Sequence, residues 1–186
     1  MNKIYLASRS PRRRQLLQRL NVEFEIIDVA IDETWDGKEA AVHFVTRLAL
    51  EKARAGRQKT GATAPVLAAD TEVVLDGRLL GKPANRDDAV AMLQSLSGRS
   101  HDVYCAVALI DATETTALNI SRVSFRPLTL EECQAYCATG EPYDKAGGYG
   151  IQGPAAAFIT RLEGSYSGVM GLPLQETAGL LNIHKT

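Results

Sequence analysis

Segments typical of buried strands alternate with segments of helical periodicity along this chain of 186 residues. VLAAD at 66–70 is a compact apolar run of the kind that forms a buried strand. After residue 39, by contrast, apolar residues repeat at the spacing of one core-facing helix face: Ala41, Phe44, Val45, Leu48 and Ala49. Alternating strands and helices favour a layered α/β fold. The pattern therefore predicts one twisted mixed sheet with helices packed around it.

The same two periodicities predict the remaining elements. Strands are expected at 3–7, 22–27, 66–70, 101–110, 116–125 and 157–162. Helices are expected at 11–20, 39–55, 87–96, 129–138 and 174–181. Residues 28–37 are polar and acidic and predict a loop, and Asp76-Gly77 is a hairpin turn signal. Because no repeat or linker divides the chain, we expect residues 1–186 to form a single domain with two lobes.

Composition excludes several classes of protein. The net charge of −1 leaves no global basic footprint for nucleic acid. No stretch approaches the roughly 18 apolar residues of a membrane span. No apolar signal region follows Met1, so a cytoplasmic location is expected.

The cysteines do not form a recognisable framework. Cys105, Cys133 and Cys137 are too few and too badly spaced for a set of disulfides. Cys133 and Cys137 share one face of a predicted helix, but a structural zinc site needs four converging ligands and the histidines are scattered. We expect buried thiols in a reducing compartment.

Four arginines crowd the start of the first predicted helix: Arg9, Arg12, Arg13 and Arg14. Ser10 and Pro11 are typical of the N-cap and first helical position, which puts the next three residues in the first turn. Cations are unfavourable there because the helix dipole is positive. A helix N-terminus does bind anions, however, and the guanidinium fork suits phosphate oxygens. Two interpretations stay open: a polyphosphate site, or a basic face that is solvated or paired with acids elsewhere.

Three acidic residues suggest chemistry. Asp70 is predicted to end an apolar strand, and in open α/β sheets ligands gather beyond the carboxyl ends of strands. Asp32 and Glu33 lie in the acidic loop. Together the three could offer oxygen ligands to Mg²⁺, which binds a few carboxylates and substrate phosphates. The alternatives are an acid that caps a turn and a solvated loop.

Two lysines stand in unusual positions. Lys52 continues the core-facing stripe of the helix at 39–55, so it either extends outward along its alkyl stem or points into a cleft. Lys82 lies between Gly81 and Pro83 in a rigid turn. Taken singly, each is compatible with ordinary surface charge.

The segment DKAGGYGIQG at 144–153 contains four glycines. Glycine allows backbone to approach a ligand closely, and it equally allows a tight bend between strands. The spacing matches neither the dinucleotide-binding nor the P-loop fingerprint. Gln152 in this segment carries an amide suited to recognising the edge of a base.

Seven short motifs occur in order along the chain. They are SRSPRR near the start, DET at 32–34, RLALEK at 47–52, ADT at 69–71, GKP at 81–83, LSG at 96–98, and DKAGGYGIQG. Each is weak alone, but the ordered set resembles the Maf family of nucleoside triphosphate pyrophosphatases from residue 4 to about residue 175.

This resemblance implies an α/β fold related to the inosine triphosphate pyrophosphatases, with an elongated mixed sheet and a deep cleft between two lobes. It implies hydrolysis between the α and β phosphates of a nucleotide, giving a monophosphate and pyrophosphate with a divalent metal, Mg²⁺ or Mn²⁺. The expected partner is the nucleotide substrate, with no membrane and no stable nucleic-acid partner. A homodimer is expected only because two-fold dimers are the commonest oligomers.

The resemblance also assigns roles to individual residues. Asp70 is similar to the family's proton acceptor, and Glu33 to a further acidic group that is catalytic or binds metal. The resemblance implies substrate and phosphate contacts for Ser8, Arg12, Arg13, Lys52 and Lys82. It also implies that Lys52 and Lys82 are catalytic residues, together with Asp70 and Glu33. Family branches differ at three positions, and Arg12, Thr71 and Gln152 match the branch acting on dTTP and UTP. A branch acting on 7-methyl-GTP carries a tryptophan at the first of these positions and an acid at the third.

Two other functions compete with this interpretation. A non-catalytic nucleotide- or RNA-binding module would not need Asp70 and Glu33, and its binding would weaken steeply with salt. The near-neutral charge and the 6% aromatic content count against it. A phosphatase acting on the terminal phosphate would release orthophosphate instead of pyrophosphate.

Overall fold

The computed structural model describes residues 3–61 and 64–183, in which strands and helices alternate. The strands are β1 (Ile4–Ala7), β2 (Phe24–Ile27), β3 (Val66–Leu75), β4 (Arg78–Leu79), β5 (Ser100–Ile110), β6 (Glu114–Phe125) and β7 (Ile159–Glu163). The helices are α1 (Pro11–Gln18), α2 (Ala41–Thr60), α3 (Arg86–Leu96), α4 (Leu130–Cys137), α5 (Tyr166–Met170) and α6 (Leu174–Leu180). The predicted α/β class is confirmed.

The seven strands of the described residues form one mixed sheet. The hydrogen-bonded order is β2-β1-β3-β5-β6-β7, with β4 paired to β3. β1 runs parallel to β2 and β3, with Leu6 opposite Leu67, whereas the β3–β4 and β6–β7 pairs are antiparallel. The mixed sheet expected from the sequence is therefore present.

The chain divides into two compact units. Unit 1 comprises the described residues up to Asp70, the segment Cys105–Asn119, and those from Gly171 onward. Unit 2 comprises Thr71–Tyr104 and Ile120–Met170. The boundary falls inside β3, between Asp70 and Thr71, so neighbouring residues of one strand belong to different units.

In unit 1, α2 packs closely on β1 and β3 at Gly56. A Cβ at this position would lie 2.9 Å from Val66 Cγ1 and 3.0 Å from the Cβ of Ala7. Both neighbours are completely buried. The absence of a side chain at residue 56 therefore sets how near α2 lies to the two strands.

In unit 2, aromatic rings form much of the core. His101, Phe125 and Tyr149 meet edge to face, and His101 Nε2 lies 2.7 Å from the hydroxyl of Tyr149. Burial lowers the pKa of His101 to about 4, which keeps the ring neutral at pH 7. Tyr149 belongs to the glycine-rich segment 144–153, so this contact anchors the segment in the core.

The largest departure from the predicted elements concerns β3. The strand predicted to end at Asp70 continues to Leu75, so Asp70 lies within a ten-residue strand and the prediction of a strand end was wrong. The apolar residues after Glu72 continue the same strand to the turn at Asp76-Gly77. Both turn residues have positive φ, as the hairpin signal predicted.

Other boundaries shifted by a few residues. The helix predicted at 39–55 begins at Ala41 and runs to Thr60, where Gly61 in the left-handed region ends it. α1 ends two residues early, and β2 begins two residues late. β7 begins at Ile159 because Pro154–Phe158 form a 3₁₀ helix before it.

Cys105, Cys133 and Cys137 are all buried, and this part of the sequence-based expectation is confirmed. Burial raises the pKa of both Cys133 and Cys137. Separately, none of the helices in the described part of the chain combines the length and hydrophobicity needed to cross a bilayer.

Substitution of Gly56 by alanine tests the packing of α2. Gly56→Ala should lower the free energy of unfolding by about 1–3 kcal/mol, because the new methyl group overpacks a rigid site. Gly179→Ala in α6 is the matched control, since a Cβ there meets no atom within 4 Å. Alanine's higher helix propensity should stabilise that variant by up to about 1 kcal/mol. Equal effects in urea-induced unfolding would contradict the packing argument.

Candidate active site

The candidate catalytic residues of unit 1 lie beyond the carboxyl end of β1. Ser8 directly follows that strand, and its hydroxyl accepts a hydrogen bond from the N–H of Ser10 at 3.2 Å. Because β1 ends at Ala7 and Leu6 pairs with Leu67, Asp70 in β3 extends past the end of β1. Ligands bind at this edge of open α/β sheets.

The arginine-bearing turn forms as predicted. Ser10 is the N-cap of α1 and accepts a hydrogen bond from the N–H of Arg13 at 3.4 Å, and Pro11 is the first helical residue. Arg12 and Arg13 are half-buried, whereas Arg14 is exposed. Arg13 Nε also donates to the carbonyl of Gly171 at 2.8 Å, which ties α1 to the segment before α6.

Arg9 has a different role from the arginines of the first turn. Its side chain forms an exposed ion pair with Asp28, just after β2. This hydrogen bond holds the pKa of Asp28 below its usual value. For Arg9, therefore, the interpretation of a basic residue paired with an acid elsewhere is the correct one.

The centre of the site is an ammonium group between two carboxylates. Lys52 Nζ lies 2.6 Å from Asp70 Oδ1 and 2.7 Å from Glu33 Oε1. The side chains of Lys52 and Asp70 are 11% and 6% exposed, whereas that of Glu33 is 43% exposed. The Lys52–Asp70 pair is thus buried, and Glu33 lies on the side of Lys52 that faces solvent.

The position of Lys52 follows from the packing of α2. Lys52 lies one turn before Gly56 on the same helix face, and Asp70 lies four residues after Val66 on the same strand face. The contact of Gly56 with Val66 therefore brings Lys52 and Asp70 together. The sequence signal was a lysine in the core-facing stripe of this helix. Of the two alternatives that the sequence left open, the structure supports a lysine that points into a site, and not one that extends into solvent.

Glu33 is carried by a loop that a salt-bridge network fastens to α2. Arg47 binds Glu39 through two nitrogens at 2.8–3.1 Å and Glu51 at 3.3 Å, and the indole N–H of Trp35 donates to the carbonyl of Glu39. The pKa of Glu39 is lowered by its hydrogen bond to Arg47. Sequence reasoning missed this function of Arg47, although its i, i+4 spacing to Glu51 was a visible signal.

Asp32 does not take the position that the sequence left open for it. Its Oδ1 accepts the N–H of Thr34 at 2.9 Å, which shapes the loop. The side chain of Thr34 and then this N–H lower the pKa of Asp32. It is Glu33 that the structure brings to Lys52. The neighbouring acids therefore divide between a turn and the site.

The fit of this group to a divalent metal depends on Asp70 Oδ2. This oxygen is buried and has no hydrogen-bond partner among the described residues, as expected of an oxygen that another group would engage. No cluster of three or more His, Cys, Asp or Glu side chains suited to a metal occurs in residues 3–61 and 64–183. Two carboxylates nevertheless match Mg²⁺, which takes one or two from protein and the rest from phosphates and water.

The other predicted site residues belong to unit 2. Thr71 is half-buried in β3, and Lys82 and Gln152 are exposed. The carbonyl of Gly81, beside Lys82, accepts the N–H of Gly147 at 2.7 Å. The turn that carries Lys82 is thereby tied to the glycine-rich segment that carries Gln152.

Comparison with known proteins found a matching family model, similar relatives and a similar solved structure. The family model described as "Maf-like protein" matches residues 3–184. A dTTP/UTP pyrophosphatase of Alkalilimnicola ehrlichii is 55% identical over 96% of this chain and 91% of its own, and one of Methylococcus capsulatus is 52% identical over 96% and 89%. A crystal structure of a nucleoside-triphosphatase, dITP/XTP pyrophosphatase, from Mycobacterium abscessus aligns with a TM-score of 0.49 and 21% identity, over 99% of this chain and 96% of that one.

Loss of the buried Lys52–Asp70 ion pair should destabilise the protein more than loss of the exposed Lys52–Glu33 ion pair. Lys52→Met should lower the free energy of unfolding by about 3 kcal/mol, because it leaves the buried Asp70 without its cation. Glu33→Gln should cost less than about 1 kcal/mol, because that side of the group faces solvent. Urea-induced unfolding of both variants measures the difference, and a Glu33→Gln loss as large as that of Lys52→Met would contradict the assigned burial.

Proposed function

The chain belongs to the Maf family, and on that premise we propose that it hydrolyses dTTP and UTP to the nucleoside monophosphate and pyrophosphate. Its relatives at 50–55% identity carry the name dTTP/UTP pyrophosphatase. The observation that carries the proposal is the buried Lys52–Asp70 pair with Glu33 at its edge and a partnerless buried oxygen on Asp70. A site of this kind supports proton transfer and metal binding.

The start of α1 is the proposed phosphate site of unit 1. Arg12 and Arg13 stand in the first helical turn, where their charge and the positive end of the helix dipole act in the same direction. A triphosphate offsets this accumulation of positive charge, and its oxygens suit both guanidinium groups and free N–H groups. Ser8, which also supports the turn, is a further proposed contact. Lys82 is the proposed phosphate-binding cation of unit 2.

Asp70 is the proposed proton acceptor. A water oxygen bonds to the α phosphorus while the bond to the bridging oxygen breaks, and pyrophosphate leaves with the electron pair. The proton lost by water goes to the carboxylate of Asp70, for which Oδ2 is the available oxygen. Lys52 and the arginines stabilise the negative charge that develops on the phosphates.

Divalent metal dependence is part of the proposal. Asp70 and Glu33 would hold Mg²⁺ or Mn²⁺ together with the substrate phosphates, and the ion would supply charge stabilisation and a more acidic water. Asp70 would then serve as ligand, as base, or as both in turn.

Selection of the base is assigned to Arg12, Thr71 and Gln152. The exposed amide of Gln152 can donate to a carbonyl oxygen of thymine or uracil and accept from the ring N–H.

The proposed location of the activity is the cytoplasm, because the proposed substrates belong to the nucleotide pool.

A panel of nucleoside triphosphates with Mg²⁺ tests the activity. We expect pyrophosphate from dTTP and UTP, loss of turnover by at least about 100-fold in Asp70→Asn, and loss on chelation of the metal. Pyrophosphate and orthophosphate are assayed separately. Orthophosphate as the product would indicate a phosphatase, and nucleotide binding without turnover would indicate a binding module.

Two neighbouring arginines provide a matched test of the phosphate site. Arg12→Ala should raise KM for UTP by about tenfold or more, since it removes a charge-assisted contact to substrate. Arg14→Ala removes the same charge from the same helical turn at an exposed position and should change KM by less than about threefold. Equal increases would show that the arginines act only through a general positive potential.

A further inference from the structure

Gln152 is presented by a tight turn of the glycine-rich segment. The N–H of Gly153 donates to the carbonyl of Gly150 at 3.1 Å, which closes a turn around Ile151 and Gln152. Ile151 is buried, whereas Gln152 is exposed. Because Gln152 lies inside this closed turn, the position of its backbone depends on the contacts that hold Gly150 and the residue before it.

Two buried hydroxyl groups hold the backbone at the start of this turn. Gly150 donates its N–H to the hydroxyl of Tyr136 in α4 at 3.2 Å. The hydroxyl of Tyr149, the preceding residue, lies 2.7 Å from Nε2 of His101 in β5. Tyr136, Tyr149 and His101 are each at most 5% exposed, so water does not compete for these hydrogen bonds. Within unit 2, the turn is therefore attached both to a helix and to the sheet.

The histidine at this position has a cost that an apolar residue would not have. Nε2 of His101 meets Tyr149, but its Nδ1 is buried and has no hydrogen-bond partner among the described residues. An unsatisfied buried polar atom destabilises the folded protein, and apolar groups of similar shape can replace a hydrogen-bonded pair at little cost. Stability alone thus does not account for His101. What the histidine adds to the core is a directional contact with Tyr149.

We infer that His101 is a positioning residue, which acts through the hydroxyl of Tyr149 to place the turn that presents Gln152 to the base. Burial of the Tyr149 ring is favourable in many orientations, whereas the hydrogen bond fixes the distance and the angle of its hydroxyl. A turn that is already in place binds the base more tightly than one that must be ordered on binding. The inference rests on the proposed function, in which Gln152 contacts the base.

Removal of one hydroxyl group tests the inference, with pyrophosphate release from UTP as the readout. Tyr149→Phe keeps the ring but loses the hydrogen bond to His101, so KM for UTP should rise by about fivefold, with kcat changed by less than about twofold. Tyr166→Phe is the matched control, because it removes a hydroxyl from an exposed tyrosine of the same unit and should leave KM unchanged. A wild-type KM in Tyr149→Phe would overturn the inference.

A double variant separates positioning from stability. His101→Leu with Tyr149→Phe replaces the hydrogen-bonded pair by apolar side chains, so the midpoint of urea-induced unfolding should shift by less than about 0.5 M. KM for UTP should nevertheless stay about fivefold raised, because the ring is again held only by packing. A return of KM to the wild-type value would show that the hydrogen bond has only a structural role. If Tyr149→Phe does not fold, as judged by circular dichroism, this double variant decides.

The route through Gln152 is tested in the Gln152→Ala background. Addition of Tyr149→Phe there should change KM for UTP by less than about twofold, because the amide that the turn presents is already absent. The full increase in that background would show that Tyr149 acts by another route, and would overturn the inference.

The outcomes also separate the two proposals. A wild-type protein that releases no pyrophosphate from UTP refutes the proposed function and this inference with it. Wild-type activity with an unchanged KM in Tyr149→Phe refutes only the positioning role of His101.

Discussion

The close approach of α2 to β1 and β3 at Gly56 is the constraint on which the site of unit 1 depends. Because the helix can lie so near the strands, a lysine one turn earlier reaches Asp70 of β3 across the same interface. A side chain at residue 56 would separate the two elements and lengthen that ion pair. The close packing of α2 on the two strands therefore also brings the buried charged residues of this unit together.

Charge within unit 1 is arranged in two different ways. Lys52 is balanced inside the protein by Asp70 and Glu33, and Arg9 by Asp28. Arg12 and Arg13 lie in the first turn of α1, where the helix dipole favours an anion. The first arrangement keeps a carboxylate buried beside an ammonium, and the second suits a polyphosphate. Proposed chemistry at Asp70 and proposed binding at α1 thus have separate physical origins, although both lie beyond the end of β1.

Unit 2 shows why a glycine-rich segment is hard to interpret from sequence. Gly147 has positive φ, and a Cβ there would also meet Val73, so this glycine serves a bend and close packing. Gly150 and Gly153 instead make room for the carboxylate of Glu141. The sequence suggested close approach to a ligand or a tight bend. It gave no signal for an internal side chain, because Glu141 and Gly153 are 12 positions apart with no periodicity linking them.

Local patterns determined the α/β class, the N-cap and arginines of α1, the turn at Asp76-Gly77 and the buried cysteines, since each depends on residues adjacent in sequence or on one face of an element. The ordered motifs indicated which residues could form the site. Only the tertiary structure decided that Lys52 bridges Asp70 and Glu33, that Arg47 fastens the Glu33 loop, and that Asp70 lies within a strand. These contacts join segments that are distant in sequence, and they depend on how closely the elements pack. The side-chain volume at positions such as Gly56 controls that packing distance, and no local sequence pattern specifies it.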